Sequence, residues 1–137
     1  MKITRFEDIE AWKASRRLSR QIYTITVSAG LRRNSELKSQ IREAADSVIT
    51  NIEEGFSAGS DTEFARFLRI AQRSAAEAQS RLHFALDHGL ITRGEFDWLD
   101  GSAEDVKKLI GDFVRYLTAA ANERSVNRPD RGPRTED

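Results

Sequence analysis

The sequence predicts an all-α protein: an antiparallel, up-down-up-down four-helix bundle. Three observations predict it. Four long segments place apolar residues three and four apart, the repeat of a single helix face. No segment alternates with period two for long enough to make a strand. Gly30, Gly55, Gly59 and Gly89 fall between the periodic segments, while Pro129 and Pro133 both sit in the last stretch, so no helix carries a proline break. The connections are short, which makes consecutive helices antiparallel neighbours.

The first helix is expected over about residues 6–28, with Ala11, Ala14, Leu18, Ile22 and Ile25 on one face. The second is expected over about 35–54, with Ile41, Ala44, Ala45, Val48 and Ile52 turned inward. Beside that face runs a polar row, Gln40, Ser47, Asn51 and Glu54. Polar groups at the edge of a core must find hydrogen-bond partners or cost stability. Asn51 and Glu54 read as caps for the corner between the second and third helices, and Gly55 as the left-handed residue that ends the second.

Ser60 or Asp61 is the expected N-cap of the third helix, ahead of Glu63. That helix is expected to reach about His88, with Phe64, Phe67, Leu68, Ala71, Ala75, Ala78, Leu82, Ala85 and Leu86 facing inward. Its alanines allow close helix approach, either inside the bundle or between subunits. The fourth helix is expected from about Arg93 to Asn122, using Phe96, Leu99, Ala103, Val106, Ile110, Phe113 and Leu117. The bundle then occupies residues 1–122. Residues 123–137 are polar, contain both prolines and lack periodicity, the pattern of a disordered tail.

A chain of 137 residues fits one domain with a real core. It has no cysteine, which excludes disulfides, thiolate metal sites and a cysteine nucleophile. No apolar run approaches the roughly 20 residues needed to span a bilayer, and the N-terminus lacks a signal-type apolar core. A cytoplasmic protein is expected. The 22 basic residues balance 22 acidic ones, which argues against a general polyanion binder. The charge is unevenly spread, however: residues 1–50 hold ten Lys/Arg against six Asp/Glu, and 51–100 hold five against nine.

Lys13, Arg16, Arg17 and Arg20 share the helix face opposite Leu18, with no acid between residues 13 and 20. Arg32, Arg33 and Lys38 follow and extend the row. Such a stripe either tracks phosphates or is a solvated face. Arg66, Arg69 and Arg73 form a second stripe, flanked by Glu63 and Glu77 at helical spacing, so surface ion pairs are expected there. Trp12 and Tyr23 lie on one side of the first helix, off the Leu18 seam, and Trp98 and Tyr116 stand off the seam of the fourth. Large apolar groups in such places mark a second buried surface. Contact with another subunit is the first reading and base stacking the second.

Nothing suggests catalysis. His83 and His88 do not share a helix face, and Glu53 and Glu54 are adjacent and diverge. The di-metal Glu-x-x-His motif is missing, as are a phosphate-binding glycine loop and a nucleophile elbow. No catalytic residue, metal or cofactor is expected.

The same residues carry a family resemblance. The segment QIREAADSVITNIEEG, Gln40–Gly55, is close to the pattern Gln-Ile-Arg-x-Ala-x-x-Ser-Ile-x-x-Asn-Ile-Ala-Glu-Gly. With FEDIEAWKAS at Phe6–Ser15, LSRQIYTIT at Leu18–Thr26, EFARFLRIAQRSAAEA at Glu63–Ala78 and LDHGLI at Leu86–Ile91, the chain resembles the four-helix-bundle family first met in intervening sequences of bacterial 23S rRNA genes. That family includes the accessory variability determinant of diversity-generating retroelements. The likeness covers about residues 5–120. Gln40, Ser47, Asn51, Glu54 and Gly55 match the signature, as do Phe67, Ile70, Ala71 and Ser74. Two positions depart from it: Glu53 stands where alanine is usual, and Arg73 where a small residue is usual.

The resemblance implies a homopentameric barrel of four-helix bundles. In the retroelement branch a strongly basic barrel surface binds nucleic acid and the reverse transcriptase. For this chain the expectation is therefore a non-enzymatic homo-oligomer. It would bind RNA, DNA or a reverse transcriptase through Lys13, Arg16, Arg17, Arg20, Arg32 and Arg33, with Trp12 and Tyr23 at the subunit contact. The alternative, which the zero net charge favours, is a protein-interaction scaffold with no nucleic-acid role.

Overall fold

The computed structural model describes residues 3–126. A 3-10 turn, Phe6–Asp8, leads into α1 (Glu10–Thr26); α2 (Ala29–Arg32), α3 (Ser35–Phe56), α4 (Asp61–Asp87) and α5 (Arg93–Val126) follow, with no strand among the described residues. Local chemistry sets the boundaries. Asn34 caps α3, its Oδ1 accepting from the Leu37 amide at 3.1 Å, and Ser60 caps α4 by accepting from the Glu63 amide at 3.2 Å. Thr92 and Glu95 form a reciprocal box ahead of α5: the Glu95 amide donates to Thr92 Oγ1 at 3.0 Å and the Thr92 amide to Glu95 Oε1 at 2.8 Å. At the end of α4, Gly89 adopts φ +70°, and the Leu90 amide reaches back to Ala85 O at 2.8 Å in a Schellman closure.

Side-chain pairs across the seams give the topology. Trp12 bonds Glu53 and Tyr23 bonds Asp46, so α1 and α3 run antiparallel. Gln72 reaches Lys107 and Gln79 reaches Asp100, so α4 and α5 do too. Each long helix packs on two others, α1 on α3 and α5, α4 on α3 and α5, around a shared core. Leu18, Ile22, Ile41, Val48, Ile52, Leu68, Leu82, Leu99, Val106 and Ile110 are fully enclosed there. The inward row expected for α1 is buried throughout, whereas Phe67 and Leu86 of α4 and Phe113 of α5 are half-buried. No helix among the described residues is long and apolar enough to cross a membrane.

Four local expectations are corrected. Gly55 does not end α3 in a left-handed cap. It lies inside the helix, and a Cβ there would come within 2.7 Å of Phe64 Cδ1 and 2.9 Å of Phe67 Cβ. Its role is close approach of α3 to α4, and the positive φ falls at Gly59, +88°, in the following turn. Asn51 does not cap the corner. Its Nδ2 donates back to Ser47 O at 2.8 Å and to Ser47 Oγ at 3.1 Å, leaving the capping to Ser60. Residues expected as loop around Gly30 form α2, where the missing Cβ leaves room for Leu90 O, which would otherwise lie 2.2 Å away. α5 also continues four residues past Asn122 to Val126, with Arg124 paired to Asp61 at the start of α4. The rest of the expected tail, 127–137, lies outside the described residues.

Candidate nucleic-acid interface

From Ala11 to Ser35 the sequence has no acidic residue. The consequence is visible on the outer face of α1. Lys13 alone finds a carboxylate, Glu10 at 3.2 Å. Arg16 lies over the Trp12 ring, its guanidinium carbon 5.5 Å from the centroid. Arg17 and Arg20 are exposed and have no ion pair among the described residues. Arg32, the last residue of α2, and Arg33, which follows it, are likewise exposed and without an ion pair among the described residues. The structure thus gathers Lys13, Arg16, Arg17 and Arg20 in one row and sets Arg32 and Arg33 beyond the C-terminal end of α1.

Trp12 and Tyr23 sit on the flank of this row that faces α3. Trp12 is half-buried: Phe6 meets its ring edge-on at 5.3 Å, and its Nε1 donates to Glu53 Oε2 at 2.9 Å. Glu53, which departs from the family pattern, is therefore the acceptor for this indole. Tyr23 is 39% exposed. Its hydroxyl donates to Asp46 Oδ2 at 3.1 Å, and the Arg42 guanidinium covers its ring at 4.4 Å. Partial burial, and then the hydrogen bond to Asp46, hold the Tyr23 hydroxyl protonated above the usual tyrosine range. Arg42 is itself fixed by donating Nε to Thr26 Oγ1 at 2.9 Å. Both aromatics thus have intramolecular work tying α1 to α3.

The signature residues occupy a different seam. Ser47 Oγ meets Ser74 Oγ at 2.8 Å across α3 and α4, with Asn51 folded over Ser47 and Gly55 against Phe64. Gln40 borders a shallow cleft with Asn34, Leu37, Arg81 and Phe84, and Glu54 is exposed. The partner of Ser47 was invisible in the local pattern because it lies on another helix.

The second stripe divides. Arg66 pairs with Glu63 at 3.1 Å, but Glu77 pairs with Arg81 at 3.7 Å, leaving Arg69 and Arg73 exposed without an ion pair among the described residues. Trp98 and Tyr116 are 48% and 47% exposed on α5. His88 Nδ1 donates to Phe84 O at 3.0 Å, and His83 packs on Phe96. Among the described residues no three carboxylate or imidazole groups gather as metal ligands. One further cleft, about 470 Å³, opens at the far end of the bundle between Phe56, Phe64, Phe113, Tyr116 and the Asp61–Arg124 pair. No local motif announces it, since it joins three helices.

Comparison with known proteins fits this architecture. Residues 7–112 match the family model of the 23S rRNA-intervening sequence protein. A crystal structure of a protein of unknown function from the S23 ribosomal protein family of Bacteroides thetaiotaomicron VPI-5482 superposes with a TM-score of 0.70 at 22% identity, covering 76% of this chain and 97% of that one. At that identity the likeness speaks for the fold alone. No curated protein matches the chain. With the family model spanning α1, α3, α4 and most of α5, the chain belongs to the 23S rRNA-intervening sequence protein family.

Proposed function

We propose that this protein is a non-enzymatic, homo-oligomeric nucleic-acid-binding protein whose contact surface is the outer face of α1 with Arg32 and Arg33. One observation carries the reading: Arg17, Arg20, Arg32 and Arg33 are exposed and unneutralised in a chain whose net charge is zero. Guanidinium groups without a carboxylate partner are free to neutralise phosphates and release their counterions. A single bundle offers few such contacts. Self-association, pentameric by resemblance, multiplies them. Anisotropy titrations of structured RNA and duplex DNA over a salt series, on protein sized by light scattering, test the reading. Binding by an oligomer with a steep salt slope is expected, and no binding at low salt by a well-folded sample sinks it.

A protein-interaction scaffold is the second reading. Trp98 and Tyr116 favour it, since both are large, exposed and on α5 rather than beside the basic row. Under that reading Trp98→Ser abolishes partner capture while nucleic acid never binds.

A further inference from the structure

Tyr23 is the exposed aromatic ring on the basic side of the bundle, and it is held unusually well for a surface residue. Asp46 fixes its hydroxyl, Arg42 covers its ring, and Thr26 fixes Arg42 while donating its own hydroxyl to Tyr23 O at 3.2 Å. The ring still leaves 39% of the residue open to solvent. Arg20 stands one turn earlier on α1 and Arg16 one turn before that, both exposed and free of carboxylates. On the other side, Glu43 and Asp46 are exposed on α3 and repel phosphate. A nucleic-acid backbone is therefore confined to the α1 side of the ring, along Arg16 and Arg20.

A fixed aromatic face beside a phosphate track suits an unpaired base. Stacking on an aromatic ring is available to any base whose own faces are free, and in a duplex those faces are already occupied. Because Tyr23 is held before binding, little side-chain freedom is lost when a base settles on it. We infer that Tyr23 is a stacking platform, so that the α1 face takes single-stranded nucleic acid in preference to duplex. The inference rests on the reading of that face as a nucleic-acid surface.

The test uses the full chain and three labelled probes: an unstructured oligouridine strand, the same strand with abasic residues, and a duplex of equal length. The wild type should bind the base-bearing strand about tenfold more tightly than the abasic one. Tyr23→Ala should remove that difference and leave duplex and abasic binding unchanged. Tyr23→Phe should keep it, since the hydroxyl is used against Asp46 rather than the ligand. Equal affinity of the wild type for base-bearing and abasic strands overturns the inference without recourse to any variant, while leaving the phosphate-binding surface standing. A Tyr23→Ala loss that is the same on all three probes also overturns it, by showing that the ring merely positions the arginines. Failure to bind any probe overturns inference and surface together.

Discussion

On α4 and α5, Arg66, Arg81, Arg93, Lys107 and Arg115 each sit within ion-pair distance of a carboxylate three or four residues away. On α1 and α2, Arg17, Arg20, Arg32 and Arg33 have no such partner among the described residues, and Lys13 alone is paired. Both surfaces are helical, exposed and rich in arginine. They differ in where the acids fall: within reach of those five basic residues on α4 and α5, though Arg69 and Arg73 of α4 go unpaired among the described residues, and nowhere between Ala11 and Ser35. Paired charges make a soluble surface with little outward field. Unpaired ones repel each other and leave a positive outward field on that face. Net charge hides this contrast, because the chain as a whole sums to zero.

Reversing charge by the same amount on each side separates the two surfaces most strongly. Arg17→Glu with Arg20→Glu should weaken nucleic-acid binding about a hundredfold and lower the log–log salt slope by at least about 2. Arg93→Glu with Arg115→Glu changes net charge identically and should cost far less. Neither pair should move the melting temperature much, because exposed ion pairs contribute only about 0–1 kcal/mol. Equal losses from the two double variants would mean that total charge, not its placement on α1, governs binding.

Stability should respond at the seams instead. Gly55→Ala forces a methyl to within 2.7 Å of Phe64 Cδ1 and 2.9 Å of Phe67 Cβ, so α3 and α4 must part. Overpacking of this kind costs about 1–3 kcal/mol, and thermal unfolding should show it as a clear drop in melting temperature. An unchanged midpoint would mean that α3 and α4 separate without cost and that their close approach does not require a glycine at position 55. Glu53→Ala, which restores the residue usual in the family, should cost less, about 1 kcal/mol, by leaving the half-buried Trp12 indole N–H without its acceptor. A blue shift or intensity change in Trp12 fluorescence should accompany it, because Trp98 is far along α5 from the altered site.

These seams mark the boundary of what the sequence made legible. The four long helices were readable because each repeats apolar residues over many turns, and the basic row because no acid interrupts it. Gly55 was ambiguous by nature: a glycine near a helix end serves either positive φ or close approach, and the deciding atoms belong to Phe64 and Phe67 on the next helix. α2 is four residues long and offers no period to read. The surface that covers Trp12 is not legible locally, because Phe6 and Glu53 come from the preceding turn and from α3. Tyr23 was found as a ring off the seam, but its fixing by Arg42, Thr26 and Asp46 depends on the register of α1 against α3.

The smallest expected effect lies on the paired side and concerns pH. Glu104 accepts from Gln79 Nε2 at 2.8 Å and pairs with Lys107 at 3.3 Å, while Lys107 also donates to Gln79 Oε1 at 3.0 Å. The Gln79 hydrogen bond first, and then Lys107, hold the Glu104 carboxyl below its ordinary range. A carboxyl whose folded value is depressed stabilises the native state above its unfolded value, and that contribution fades as pH falls from about 4.5 through the folded value. Because the group is exposed, the effect should stay under about 0.5 kcal/mol. Glu104→Gln should therefore lower the melting temperature slightly at neutral pH and less and less in acid, as the pH falls below the folded value and the wild-type carboxyl is protonated too. The row from Arg16 to Arg33 has no acid to titrate, so Arg17→Gln should show no such pH dependence. If Glu104→Gln shifts the midpoint equally at neutral pH and in acid, the network acts through packing alone, and the electrostatic half of the contrast between the two surfaces loses its support on α4 and α5.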